Sequence, residues 1–218
     1  MGYNTGNNGG GKLVAFKLKT KDVEKPYFEG KTKVGEKWEV IEDKPTNIEG
    51  NLVKVVLDTG EFDGSEYDIV NLYLQDFEGT GETYLLDLRL NFTTRSLFNS
   101  LLSLEKFDNL KISTYLTKLN DQGKSYPAIT LRAGDEKVPW KYSKNETPAT
   151  KTVTVNKKKQ TDTADLDAFY VAKLTEFAEV VNSTPKTPIT KKVVAEKAVD
   201  VSSGQTDDSS EENSEIPF

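Results

Sequence analysis

The chain has 218 residues, 29 Lys plus Arg against 35 Asp plus Glu, and neither Cys nor His, for a formal net charge of −6. That composition excludes disulfides, thiol nucleophiles, zinc sites built on Cys or His, Ser-His-Asp triads and imidazole acid–base chemistry. Counted with Gly in and Tyr out, the apolar share is about 38%, below the roughly 45–50% of average globular chains, and every aromatic except Phe218 lies at or before Phe177.

Residues 1–11, rich in Gly and Asn, read as a flexible arm. They contain no apolar h-region, so no secretory signal is expected. No apolar run approaches the 18 or so residues of a membrane span. Gly6 stands where myristoylation expects Ser or Thr. The expectation is a soluble, cytoplasmic protein. Gly6-Asn7-Asn8-Gly9-Gly10-Gly11-Lys12-Leu13 comes close to a phosphate-binding loop. Leu13 replaces the magnesium-holding Ser/Thr, and no strand precedes the loop, so a triphosphate site is rejected.

Residues 12–142 read as one β-domain, because alternation dominates them. Val14, Phe16 and Leu18 share a face, and 37–43 gives a second strand. Within 51–58 the shared face is Val53, Val55 and Leu57; within 67–77 it is Val70, Leu72 and Leu74, opposite Tyr67, Ile69, Asn71 and Tyr73. Within 84–92, Tyr84, Leu86, Leu88, Leu90 and Phe92 lie together, opposite Asp87, Arg89 and Asn91. The period then changes. Leu97, Phe98, Leu101, Leu102 and Leu104 predict a helix over 94–104 with Thr93 or Thr94 as its N-cap. Alternation resumes at Leu110, Ile112 and Leu116, turns at Asn120-Asp121-Gln122-Gly123, and returns over 125–132, with a short closing segment at 138–142. Five or six strands with one helix before the final hairpin fit a mainly β fold, a small Greek-key barrel with an inserted helix like the oligonucleotide-binding (OB) fold. A β-sandwich gives nearly the same strings.

Residues 143–163 form a Lys/Thr-rich connection. Residues 164–182 predict an amphipathic helix whose stripe is Leu166, Phe169, Tyr170, Leu174, Phe177, Val180 and Val181. That stripe either packs on the β-domain or holds a partner. Residues 183–206 read as a linker and 207–218 as an acidic tail.

Among the carboxylates, Asp58, Glu61, Asp63, Glu66 and Asp68 could gather a magnesium ion, but they equally describe solvated turns around Gly60 and Gly64. Aromatics interleaved with cations point elsewhere. Trp38, Tyr67, Tyr73, Arg89, Lys111, Tyr115, Tyr126, Arg132, Trp140, Lys141 and Tyr142 supply rings that stack on bases and cations that track phosphates, the means by which single-stranded nucleic acid is held. The charge distribution agrees. Residues 12–37 contain 8 Lys against 4 acids and residues 141–159 contain 6 Lys against 1 Glu, whereas the last 12 residues contain 5 acids and no base.

The last residues are Asp207-Asp208-Ser209-Ser210-Glu211-Glu212-Asn213-Ser214-Glu215-Ile216-Pro217-Phe218. This acidic run closing in Ile-Pro-Phe resembles the tip of bacterial-type single-stranded DNA-binding proteins. The inserted helix and the helix at 164–182 depart from the usual bacterial pattern, which points to a divergent bacteriophage member, acting in the host cytoplasm, with a monomer or dimer favoured over a tetramer. The resemblance implies an OB-fold body that coats single-stranded DNA. It also implies partner binding by Asp207, Asp208, Glu211, Glu212, Glu215, Ile216, Pro217 and Phe218. In such a tail Phe218 enters an apolar pocket while its α-carboxylate meets a basic rim, and the acids steer it to DNA-processing proteins.

The expected protein is not an enzyme and needs no cofactor or metal. It binds single-stranded DNA without sequence preference and recruits replication or recombination proteins. Having only Arg89, Arg95 and Arg132 argues against base-edge readout. The rival readings are a structural or assembly protein with a solubilising tail and, third, a metal-dependent nuclease.

Overall fold

The computed structural model describes residues 12–185 apart from 22, 77–80, 119–122 and 156–157. The arm at 1–11, most of the predicted linker, the acidic tail and the turn at 120–122 lie outside the described residues. The elements run β1 (Leu13–Lys19), β2 (Tyr27–Val34), β3 (Lys37–Val40), β4 (Asn47–Phe62), β5 (Ser65–Gln75), β6 (Thr83–Arg89), α1 (Phe92–Leu101), β7 (Leu110–Leu116), β8 (Pro127–Ala133), β9 (Glu136–Lys137), β10 (Lys151–Val155), β11 (Lys158–Asp162) and α2 (Ala164–Ser183). Among the described residues no helix is long and apolar enough to cross a membrane.

The expectation of a mainly β fold with one helix before the final hairpin matches this order. Its extent and closure differ. Strands β1 to β9 form one sheet in the order β3-β2-β1-β6-β5-β4-β7-β8-β9, and β10 and β11 form a separate two-stranded ladder. Among the described residues this sheet does not close into a barrel. The reason lies at β6. It is paired on one side with β5, and β1 runs parallel to it on the other, from Leu13 opposite Thr83 to Lys17 opposite Asp87. No edge of β6 is left for a returning strand. At β8, α1 lies alongside the strand instead, and Ser96 Oγ donates to the Ile129 carbonyl at 3.1 Å.

The long strand β4 positions everything else. Its first residues pair with β7, from Asn47 opposite Ser113 to Gly50 opposite Leu110, and the rest pairs with β5. Gly50 sits where β4 changes partner, and a Cβ there would lie 2.8 Å from the Gln75 carbonyl oxygen, so the crossing needs glycine. The register shifts at Val53, between Leu52 and Lys54. This bulge corrects the expected Val53–Val55–Leu57 face: one extra residue resets the alternation, so Leu52 and Val55 are the buried pair. The core they join is nearly all aliphatic and aromatic, including Phe16, Phe28, Leu72, Leu74, Leu86, Leu88, Leu97, Phe98, Ile112 and Leu131.

The helix α1 starts earlier than the periodicity suggested. Asn91, not Thr93 or Thr94, is its N-cap, and the Asn91 side chain accepts from the Thr93 and Thr94 N–H groups while Thr94 Oγ1 accepts from the Asn91 N–H. This reciprocal box satisfies donors that a helix start otherwise leaves unpaired. Phe92, assigned from its alternation to the core face, is therefore the first helical residue and is 76% exposed. Residues 138–142 are not a strand: β9 is only Glu136–Lys137, and the segment after it is held by α1. The sequence reading also missed β2, β10 and β11, whose polar strings carry little hydrophobic alternation.

The helix α2 packs on the body. Tyr170, Leu174, Phe177, Ala178 and Val181 are buried, and Phe177 meets Phe107 edge to face at 5.8 Å. Arg95 of α1 donates through Nε and Nη2 to Asp167 Oδ1 at 3.1 and 2.6 Å. Val180, placed in the stripe from its spacing, is instead 55% exposed. At the end of α2 the Asn182 amide accepts from the Val55 N–H at 3.0 Å and donates to the Val55 carbonyl at 2.8 Å. Val55 is past the stretch of β4 that β7 covers, so this side chain takes the place of a neighbouring strand there.

Candidate nucleic-acid interface

Residues directly opposite in a ladder share a sheet face. The registers therefore define rows across the face turned away from the core. One row runs Val40, Lys31, Ala15, Leu85, Tyr73, Lys54 across β3, β2, β1, β6, β5 and β4. The next runs Glu29, Lys17, Asp87, Asn71, Val56. Trp38 and Lys33 pair on one flank, and on the other Arg89 lies opposite Ile69, followed by Tyr67 opposite Gly60. Four of the residues singled out from sequence, Trp38, Tyr67, Tyr73 and Arg89, thus belong to one outward face.

Cations sit against the rings on this face. The Arg89 guanidinium lies 4.0 Å from the Tyr67 ring centroid, and Lys54 Nζ lies 5.3 Å from that of Tyr73. Attraction between a cation and a ring quadrupole holds such pairs at roughly this range. Gly60 lets the Tyr67 ring lie flat across β4, since a Cβ there would be 2.6 Å from its Cζ. Beside this pair a depression of about 350 Å³ is lined by Lys17, Leu18, Thr20, Phe62, Tyr67 and Arg89 among others. Two lysines are partly neutralised: Lys17 meets Asp87 at 3.0 Å and Lys19 meets Glu29 at 3.3 Å. Lys31 and Lys33 enter none of the ion pairs among the described residues.

The other candidates form two separate groups. Lys111, Tyr115 and Arg132 lie on the outward side of β7 and β8, with Lys111 opposite Arg132 and Tyr126 just before β8. There Lys111 pairs with Glu49, its neighbour across β4, and Arg132 Nη1 donates to the Asp135 carbonyl. Trp140, Lys141 and Tyr142 follow β9 and are held against the helices. Asn99 of α1 accepts from the Tyr142 N–H at 2.9 Å and donates to the Tyr142 carbonyl at 2.8 Å, and the Tyr142 ring meets Phe169 of α2 at 5.1 Å. Trp140 stays 62% exposed. Just beyond, the Glu146 carboxylate accepts from the Ser143 hydroxyl and N–H, which holds its pKa below the usual carboxylate value. Inside the same end of the molecule, burial pushes the Tyr170 phenol up. The eight tail residues singled out from sequence lie outside the described residues.

Sequence reasoning missed Lys31, Lys33, Lys54 and Phe62 on the first face. The string Tyr27-Phe28-Glu29-Gly30-Lys31-Thr32-Lys33 does alternate, but with Gly30 and Thr32 on the inner side it carries almost no apolar signal. Phe62 was obscured by the acidic turn around it. Searches of family models, of curated proteins and of solved structures each return no match to this chain.

Proposed function

We propose that this chain binds single-stranded DNA without sequence preference, as a protein of replication, recombination or repair. The carrying observation is the outward face on which Trp38, Tyr73 and Tyr67 are interspersed with Lys31, Lys33, Lys54 and Arg89. Rings stack on bases of any identity, and the lysines follow phosphates without reading sequence. The element order supports the reading. Strands β4, β5 and β6, then α1, then β7 and β8, with β4 shared between β5 and β7, follow the strand succession of an OB fold. In that view β1 to β3 are an N-terminal addition occupying the edge of β6. The acidic segment ending Ile216-Pro217-Phe218 is the proposed contact with other proteins of DNA metabolism.

A fluorescence titration of the full chain with a poly-dT oligomer tests the first claim. Binding should quench the intrinsic fluorescence, weaken steeply with salt, and leave the oligomer intact in magnesium. Replacing Trp38, Tyr67 and Tyr73 by Ala should each weaken binding by about 1–3 kcal/mol where the ring is a stacking platform. Undiminished affinity in the triple variant would remove this face from the proposal, and cleavage of the oligomer would turn the reading toward a nuclease.

A further inference from the structure

The sheet ends in an arm. Beyond Thr32, which still pairs with Val14 of β1, β2 and β3 continue together as a hairpin closed by Gly35 and Glu36, and residues 33–40 are all exposed. Among the described residues, the outer edge of β3 has no strand beside it. Antiparallel ladders alternate between residues that bond to the neighbour and residues whose backbone points away. Ile41 N–H donates to the Gly30 carbonyl at 2.9 Å, continuing the β2–β3 register. Residues 37, 39 and 41 therefore face β2, and the N–H and C=O groups of Trp38 and Val40 point out from the edge. Such an edge is a template for another strand unless something blocks it.

We propose that this edge pairs with β3 of a second copy, antiparallel and about a two-fold axis, to form a dimer. The charges choose the register. A two-fold perpendicular to the sheet sets one residue opposite its own copy, and the candidates are Trp38, Glu39 and Val40. Centring on Glu39 opposes two like charges, which destabilises a cross-strand pair. Centring on Val40 leaves Glu39 opposite Ile41 and Trp38 opposite Glu42. Centring on Trp38 sets Lys37 opposite Glu39 of the second copy and Glu39 opposite its Lys37. This makes two ion pairs from residues that enter none within the chain among the described residues. It also brings Trp38, 48% exposed in the single chain, beside its own copy about 5.5 Å away at Cα. The interface is isologous, so it closes at two copies rather than growing into a filament. The outward face continues across the axis, although the pairing does not depend on what that face binds.

Sedimentation of the full chain without DNA tests the pairing. The mass should rise with concentration from 24.3 kDa toward twice that value. K37E and E39K each set like charges opposite one another in the homodimer, so each alone should stay monomeric. An equimolar mixture of the two single variants should dimerise, because every reversed charge then faces an unlike one, and the K37E/E39K double variant should recover the wild-type behaviour. Both positions are exposed, so melts at concentrations low enough for every protein to be monomeric should be unchanged. A wild-type chain that remains at 24.3 kDa throughout overturns the proposal, and so does a dimer that single reversal leaves intact. A monomer whose W38A variant loses affinity for poly-dT assigns the arm to nucleic acid instead.

Discussion

One side chain, Asn182, carries a structural role that no periodicity announces. Asn182 presents its amide to both backbone groups of Val55, closing an edge of β4 that has lost its strand neighbour. In Asn182→Leu both groups lose their partners, and each net hydrogen bond is worth about 1 kcal/mol. A urea titration should show a loss of about 1–3 kcal/mol, at the low end to the extent that water reaches the exposed residue. Asn182→Asp should be no better, because a carboxylate cannot donate to the Val55 carbonyl. Tyr170 has the opposite character: its ring is buried and its phenol is held protonated beyond the ordinary range by desolvation. Since the folded state favours the neutral form, the contribution is complete below the ordinary tyrosine pKa of about 10 and is lost as pH rises through the higher folded value. Tyr170→Phe should flatten the alkaline limb of stability against pH, read by melts above pH ~9. An unchanged limb would assign that instability to other groups.

At the level of elements, legibility followed hydrophobic alternation and failed where polar chemistry or a bulge set the geometry. The faces of β1, β5 and β6 were readable because Val14/Phe16, Val70/Leu72/Leu74 and Leu86/Leu88 alternate without interruption. The face of β4 was misread because a single inserted residue at Val53 shifts the phase, and nothing in the string Leu52-Val53-Lys54-Val55 marks which residue is the extra one. The hairpin β10–β11 was invisible for a different reason: a Lys/Thr-rich string resembles a linker, and its salt bridge from Lys151 to Asp165 is a tertiary feature. The start of α1 was missed because its cap is Asn91, three residues ahead of the Thr94 that completes the box. Asn91→Ala should cost roughly 0.5–2 kcal/mol, whereas Asn91→Asp or Asn91→Ser should retain most of the stability, as judged by denaturant midpoints. The stripe of α2 was legible, but its partner was not. The buried Leu174 and the Arg95–Asp167 pair make α2 part of the body. Leu174→Ala should therefore lower stability by about 2–5 kcal/mol with the sedimenting mass unchanged. A variant that altered mass while leaving stability intact would place the contacts of α2 between chains.

For the whole molecule, the residues singled out from sequence separate into three groups, and they differ in how much positive charge each can still offer. At β7 and β8, Lys111 is engaged by Glu49 and Arg132 by a carbonyl. After β9 the group offers one cation, Lys141, from a loop that Asn99 of α1 clamps. The face spanning β3, β2, β1, β6, β5 and β4 keeps Lys31 and Lys33 outside the described ion pairs and holds Lys54 and Arg89 against rings. This grouping could not be read from the sequence, because it depends on β1 pairing with β6 across more than 60 intervening residues of chain. If this face binds the strand, salt should report it. Each phosphate neutralised on a single strand contributes about −0.7 to the slope of log K against log salt concentration, so four such cations give roughly −3. Replacing Lys31, Lys33 and Lys54 together by Gln should flatten the slope by about 2, and the loss of affinity should be largest at low salt. Lys111→Gln should change the slope by much less, because that lysine already has a carboxylate partner to displace. The alternative groups make the reverse forecast. A slope that stays the same in the triple variant but flattens in Lys111→Gln or Lys141→Gln would move the binding path to β7 and β8 or to the clamped loop, leaving the face from β3 across to β4 without a nucleic-acid role.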